Sequence, residues 1–219
     1  MARTITVKGI GSAAVKPDQI EIHLSLSAKD KQYDKAMELA SEQISRLYRT
    51  VEKAGLDREN LKTTHFDVTT DYDRVRDKYG NYHEVFNGYE CSHDLKLTFD
   101  FNTKDLSNAL NTISNSRINP KIKIKFTIKN PASVNELILQ DATENAHRKA
   151  DILCRASGVS LGKLLRIDYN WGEVTFVSPT RYDYDDCMMA APAGAFSDIE
   201  IEPENIKASD TATFVWEIE

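Results

Sequence analysis

The chain lacks any run of about 18 apolar residues, the length a membrane-spanning helix needs. It also lacks a C-x-x-C pair. Its three cysteines, Cys91, Cys154 and Cys187, stand far apart, so neither a zinc knuckle nor a thioredoxin-type couple is suggested. No G-x-S-x-G stands here for a serine nucleophile, and no EF-hand spacing for calcium. No cysteine sits in a catalytic signature with a histidine partner. Before Ile5 there is no apolar signal core. With an odd cysteine count, that start predicts free thiols in a reducing compartment and a cytoplasmic chain; a chain trimmed of its signal and bound for the periplasm would read the same.

What is present is ordinary globular chemistry: 219 residues, 41% hydrophobic and 28% charged. Collagen, a wholly disordered chain and a short disulfide scaffold are excluded. The formal charge of −6 is uneven. Residues 172–219 hold eleven acids and two bases, while residues 1–171 hold 23 acids and 26 bases. An acidic chain without an arginine-rich stripe excludes nucleic acid as the main partner.

Alternation with a period of two marks the strands. Ile20, Ile22, Leu24 and Leu26 form one face; Thr64, Phe66, Val68 and Tyr72 another; Tyr89, Cys91, His93, Leu95, Leu97, Phe99 and Phe101 a third. Ile122, Ile124, Phe126 and Ile128 face away from Lys121, Lys123, Lys125 and Lys129. Further strands are read at Leu165–Trp171 and at Phe214–Ile218. Steps of three and four residues mark a helix from Tyr33 to Ala54 that stops at Gly55, and a short one over 103–116. A long helix opens at Ser133, whose S-x-x-E pattern with Glu136 predicts a capping box. Its expected stripe is Val134, Leu137, Ile138, Ala142, Ala146, Leu153 and Ala156. The order β–β–α–β–β–α–β–α–β–loop–β predicts an α+β fold: an antiparallel sheet with two long helices and one short helix packed on it around a split-βαβ-like core. One domain over 1–219 is expected, with an irregular acidic and small-residue region at 172–205.

Several residues are candidates for chemistry, and each has a plain alternative. Gly9-Ile-Gly-Ser-Ala-Ala14 formally fits G-x-G-x-x-A, but Pro17 blocks the helix that a dinucleotide site requires. Close backbone approach is the other reading. Cys91 and His93 share a strand face and could ligate a metal with His65 or His83, or they belong to the core. Asp183, Asp185 and Asp186 suit a weak cation site or a solvated loop. The lysine row could meet an acidic partner, such as the acidic end of another copy, or guard an edge strand. The loop at 178–200 reads as a protein-contact segment or as a surface excursion. No catalytic, metal or cofactor-binding residues are assigned.

Scattered segments then resemble the SIMPL-domain family, a bacterial domain of unknown function that includes periplasmic immunogenic proteins. They are Ile5-Thr-Val-Lys-Gly-Ile-Gly-Ser-Ala-Ala-Val-Lys-Pro-Asp18, Gly55-Leu-Asp57, Leu61-Lys-Thr-Thr64, Phe86-Asn-Gly-Tyr89, the helix Ala142–Ala150, Gly158, Leu161-Gly162 and Ile201–Ile206. Asn205 departs from the glycine common in relatives. The resemblance implies the fold, assembly as a homo-oligomer and a stress-related role, and it brings no catalytic residues. With the patterned fold, the loop at 178–200 and no assembled chemistry, the chain is read as a non-enzymatic protein that works through self-association or through a protein partner. The alternative is an enzyme or small-ligand binder with a pocket between sheet and helices.

Overall fold

The computed structural model describes residues 3–116, 118–169, 172, 174–184 and 201–219. In chain order the described elements are β1 (Thr4–Val15), β2 (Gln19–Asp30), α1 (Tyr33–Lys53), β3 (Leu61–Arg76), β4 (Tyr82–Asp100), α2 (Thr103–Asn115), β5 (Lys121–Thr127), α3 (Pro131–Ala156), β6 (Leu161–Asp168), β7 (Tyr182–Tyr184) and β8 (Ile206–Ile218). The α+β class is as expected, with the strands divided between two antiparallel sheets. Residues 185–200, Trp171 and Cys187 lie outside the described residues. So do Asp185 and Asp186, and with them most of the loop expected to make protein contacts.

The chain forms two compact units. The first comprises residues 19–126 and 180–202. Its sheet has the order β3-β4-β2-β5-β7, so residues 17–130 do carry the split βαβ arrangement. The alternating residues of β2 and β4 form the inner layer: Ile20, Ile22, Leu24, Leu95 and Leu97 are fully buried. Leu47 and Val51 of α1 and Leu106, Leu110 and Ile113 of α2 close over them. Each such side chain contributes about 1.5–3 kcal/mol on leaving water. Asn102 caps α2 by accepting the Lys104 amide, and Gly55 ends α1 with a positive φ of 80°. In β4 the segment Phe86-Asn-Gly-Tyr89 is a bulge. The β3 partner shifts from Gly88 to Phe86 between Asp71 and Tyr72, leaving Asn87 as the extra residue.

The second unit comprises residues 1–18, 127–179 and 203–219. Its sheet has the order β1-β8-β6, so the first and last strands of the chain pair along their whole lengths. Helix α3 covers one face. It begins at Pro131, two residues before the expected start, and its N-cap is Asn130, whose side chain accepts the Ser133 amide. Proline at the first helical position lacks an N–H that would be unpaired there in any case. The buried stripe of α3 is Val134, Ile138, Ala142, Ala146, Ala150 and Cys154, a strict four-residue repeat. Leu137 and Leu153, expected to face inward, are exposed.

Candidate functional site

Cys91 and His93 sit on the helix-covered face of the first unit, at different depths. Cys91 is buried under α1 beside Ala36 and Ala40, with its Sγ 3.6 Å from Met37 Sδ. Burial pushes the thiol's pKa up, which keeps it protonated and weakly nucleophilic. His93 is half-buried. Its Nε2 lies 2.8 Å from Thr63 Oγ1, and its ring meets Phe66 edge-on at 5.2 Å. Desolvation lowers its pKa, so at neutral pH it is an uncharged imidazole. The two other histidines considered as ligands do not join it. His65 pairs with Asp94 in register, on the opposite face of the strand pair from Phe66 and His93. His83 is ten residues from His93 along β4, about 33 Å at the rise of a strand. Among the described residues no three His, Cys, Asp or Glu side chains converge.

Gly9 and Gly11 stand in the middle of β1, where they let the backbone of α3 approach. A methyl group at Gly9 would collide with the Ala142 carbonyl, and one at Gly11 with the Ile138 carbonyl. The same proximity brings three α3 side chains onto the outer edge of β1. Asp141 accepts the Ser12 amide at 2.8 Å. Asn145 accepts the Ile10 amide at 3.1 Å. Lys149 donates to the Lys8 carbonyl at 3.1 Å. Four helical residues advance about 6 Å and two strand residues about 6.6–6.8 Å, so the two spacings stay in step over three rungs. An edge that would otherwise offer free N–H and C=O groups is thereby closed. The polar row at 141, 145 and 149 gave no sign of this in the sequence, because it reads as a solvated helix face.

The lysine row is not on an edge strand. β7 pairs outside β5 and sets Asp183 opposite Lys123. Lys121, Lys123, Lys125 and Lys129 are all exposed. On the same polar side of this sheet Glu21 lies 3.2 Å from both His23 Nε2 and Lys96 Nζ. These two partners hold its carboxyl down to about 2 against the opposing effect of burial. Lys29 bridges Asp71 and Glu90 at 3.2 and 3.0 Å.

Among the described residues, apolar side chains stand half-exposed on the strand pair β3–β4 of one sheet and on β6, which ends the other. On β3 and β4, Phe66, Tyr72 and Phe86 are 46%, 51% and 46% exposed. Rings run edge-to-face from Tyr72 to Phe86, on to Tyr89, and then to Tyr33 of α1, with centroids 5.4–5.8 Å apart. On β6 of the other unit, Leu164, Leu165 and Ile167 are 47%, 51% and 52% exposed. Alternation in β3 predicted a buried inner face; among the described residues α1 packs against Val68, while Phe66 and Tyr72 stand 46% and 51% exposed. The layer between sheet and helices, where a ligand pocket was the alternative expectation, holds the packed core side chains. A depression of about 380 Å³ on α3 is lined by Leu139, Gln140, Thr143 and Glu144, residues of little more than one helical turn.

The family model described as SIMPL, protein of unknown function (DUF541), matches residues 5–216. Two curated relatives, the 26 kDa periplasmic immunogenic proteins of Brucella abortus (strain S19) and of Brucella melitensis biotype 1, are each 26% identical over 166 residues. The match takes in 74% of this chain and 65% of each relative's length. The regulatory subunit of aspartate kinase from Thermus flavus superposes with a TM-score of 0.16 and 9% identity, over 97% of this chain and 90% of that one; so slight a likeness carries no argument. The relatives overturn the cytoplasmic address expected from the N-terminal sequence, since both are named periplasmic. The physical reason is general: an export leader is removed and leaves no trace in the patterning of the folded domain. Among the described residues no helix is long and apolar enough to cross a membrane.

Proposed function

The chain belongs to the SIMPL family, and from that premise we propose that it is a non-enzymatic envelope protein that works by associating with further copies of itself. The observation that carries this reading is the aromatic row of β3 and β4, exposed on a 16-residue strand that ends its sheet. A long strand that ends its sheet and carries half-exposed aromatic rings is the kind of surface natural proteins cover or blunt when it has no use. A periplasmic address follows the printed names of the relatives, and cell fractionation checks it.

Light scattering across a wide concentration range tests the reading. Mass that rises above one chain with concentration supports it, and a strictly monomeric protein overturns it. Because the chain crosses between the two units at 18–19, 126–127, 179–180 and 202–203, the reading also takes residues 1–219 as one functional domain, and a single cooperative unfolding transition is expected. The family resemblance adds a stress-related role, checked by survival of a deletion strain in peroxide; unchanged survival removes it.

A further inference from the structure

We propose that Asn87 is a site of self-modification: attack by the Gly88 backbone nitrogen removes its side-chain amide and leaves one more negative charge on the β3–β4 strand pair. This is independent of self-association. Asn87-Gly88 is the chain's one Asn-Gly step, and the fold adds two properties to it. Asn87 is the extra residue of the β4 bulge, exposed and unpaired in the β3–β4 register, so it stands where the ladder is broken. Gly88 takes a φ of 152°, and a β-carbon there would strike the Asp30 carbonyl. The fold thus demands glycine at 88. Glycine in turn leaves the nitrogen after Asn87 without a side chain to hinder attack.

The step balances with water alone. Hydroxide takes the proton of the Gly88 N–H, and the nitrogen bonds to Asn87 Cγ. The Cγ–Nδ2 bond breaks, and ammonia leaves with a proton returned by water. The cyclic imide then takes up one water at either carbonyl. Opening at one carbonyl leaves aspartate at 87; opening at the other leaves isoaspartate, with the main chain running through Cγ. Gly88 is buried, so hydroxide reaches its N–H when the bulge opens locally.

The change would be felt across three strands. Asn87 Nδ2 donates to Asp71 Oδ2 at 3.1 Å, and the same oxygen lies 3.2 Å from Lys29 Nζ. Glu90 holds that ammonium from the other side at 3.0 Å. Once the amide is lost, a carboxylate replaces the donor and faces Asp71, and one lysine serves three acids. A hydrogen bond is exchanged for repulsion between like charges, next to the pair Tyr72 and Phe86.

The test holds the whole folded chain at neutral and at mildly alkaline pH, then reads its peptides by mass spectrometry and its charge by isoelectric focusing. Asn81 is the internal control: it is also exposed, and its Nδ2 also meets a carboxylate, Asp77 Oδ2 at 3.5 Å, but Tyr82 follows it. Aspartate and isoaspartate should appear at position 87 well ahead of any change at Asn81, faster at the higher pH, with an acidic shift of one charge. Asn87→Gln should keep its charge over the same period. If Asn87 survives in the folded chain while a denatured sample converts, or if Asn81 converts as fast, the site is wrong. Asn87→Asp tests the consequence: its melting midpoint should lie below that of the unaltered chain at neutral pH, and the gap should narrow as pH falls through the carboxylate range. Equal midpoints at neutral pH would overturn the repulsion at Asp71.

Discussion

Gly11 and Ile138 meet backbone to backbone: a β-carbon on Gly11 would fall on the main-chain carbonyl of Ile138. Helix α3 therefore rests on β1 at a distance that only glycine permits. Replacing Gly11 with alanine forces the helix outward, and it strains the three hydrogen bonds from Asp141, Asn145 and Lys149 together. Overpacking against a backbone atom that cannot rotate away should cost about 3 kcal/mol. In a chain of this size that lowers the melting midpoint by roughly 6–12 °C. Gly9→Ala should behave alike, whereas Ile10→Ala, at an exposed position, should stay within about 0.5 kcal/mol. A calorimetric scan in which Gly11→Ala melts with the unaltered protein would refute the close packing.

The same region marks the limit of what the sequence discloses. Ile20 to Leu26 and Leu95 to Phe99 alternate, and they are buried as the alternation says. Phe66 and Tyr72 alternate just as cleanly and lie half in solvent. Alternation fixes which side chains share a face; whether a helix covers that face depends on a length of α1 that the strand's own residues do not encode. In α3 a hydrophobicity scale favours Leu137 and Leu153, yet both are exposed. The helix packs through Ala142, Ala146 and Ala150, because its neighbour is a glycine strand and small residues allow the approach. The capping pattern at Ser133 was a real local signal outcompeted by Asn130-Pro131, two residues upstream. The pairing of β1 with β8 joins the two ends of the chain, and no local periodicity reports such a partner. For the candidate surfaces, the sequence identified aromatic strands but not that β3 and β6 end their sheets.

Removing one rung of the β1 edge closure separates its two roles. Asn145→Ala deletes the acceptor of the Ile10 amide and should cost about 1 kcal/mol. Hydrogen exchange gives the sharper readout. The Ile10 amide should exchange faster in the variant, while amides of β1 that point towards β8 keep their protection. Uniform protection along β1 in the variant would mean that the contact closes nothing.

Glu21 predicts an acid-sensitive step in stability. Its carboxyl is held at about 2 in the folded chain by His23 first and Lys96 next, against an ordinary carboxylate value of about 4.3 in the unfolded chain. The unfolded chain thus binds the proton more readily, and protons favour unfolding. The stabilisation is complete above the unfolded carboxyl range and drains away as pH falls from about 4.5 towards about 2. Screening at this half-open site limits it to roughly 1–2 kcal/mol. Denaturant titrations from pH 7 to pH 2 should show the unaltered protein losing that margin over Glu21→Gln. Parallel curves for the two proteins across the acid range would remove Glu21 from the account.

Thiol chemistry supplies a last test, and it bears on the compartment. Cys91 and Cys154 are both unpaired and buried, at 1% and 2% exposure. Thiols exposed in a periplasm oxidise, so a chain that works there must hide free cysteines or pair them. Burial does this twice for Cys91: it denies reagents access and it raises the thiol's pKa, which leaves little thiolate to attack. In a Cys187→Ser protein, a disulfide reagent at neutral pH should label neither thiol while the chain is folded. Both should react promptly in denaturant. Cys91→Ala would empty a site closed by Ala36, Ala40 and Met37 and cost about 1–2 kcal/mol, whereas Cys91→Ser would add an unmet hydroxyl and cost more. Rapid labelling of Cys91 in the folded protein would place it on an accessible surface and restore the strand pair Cys91 and His93 as a candidate reactive site.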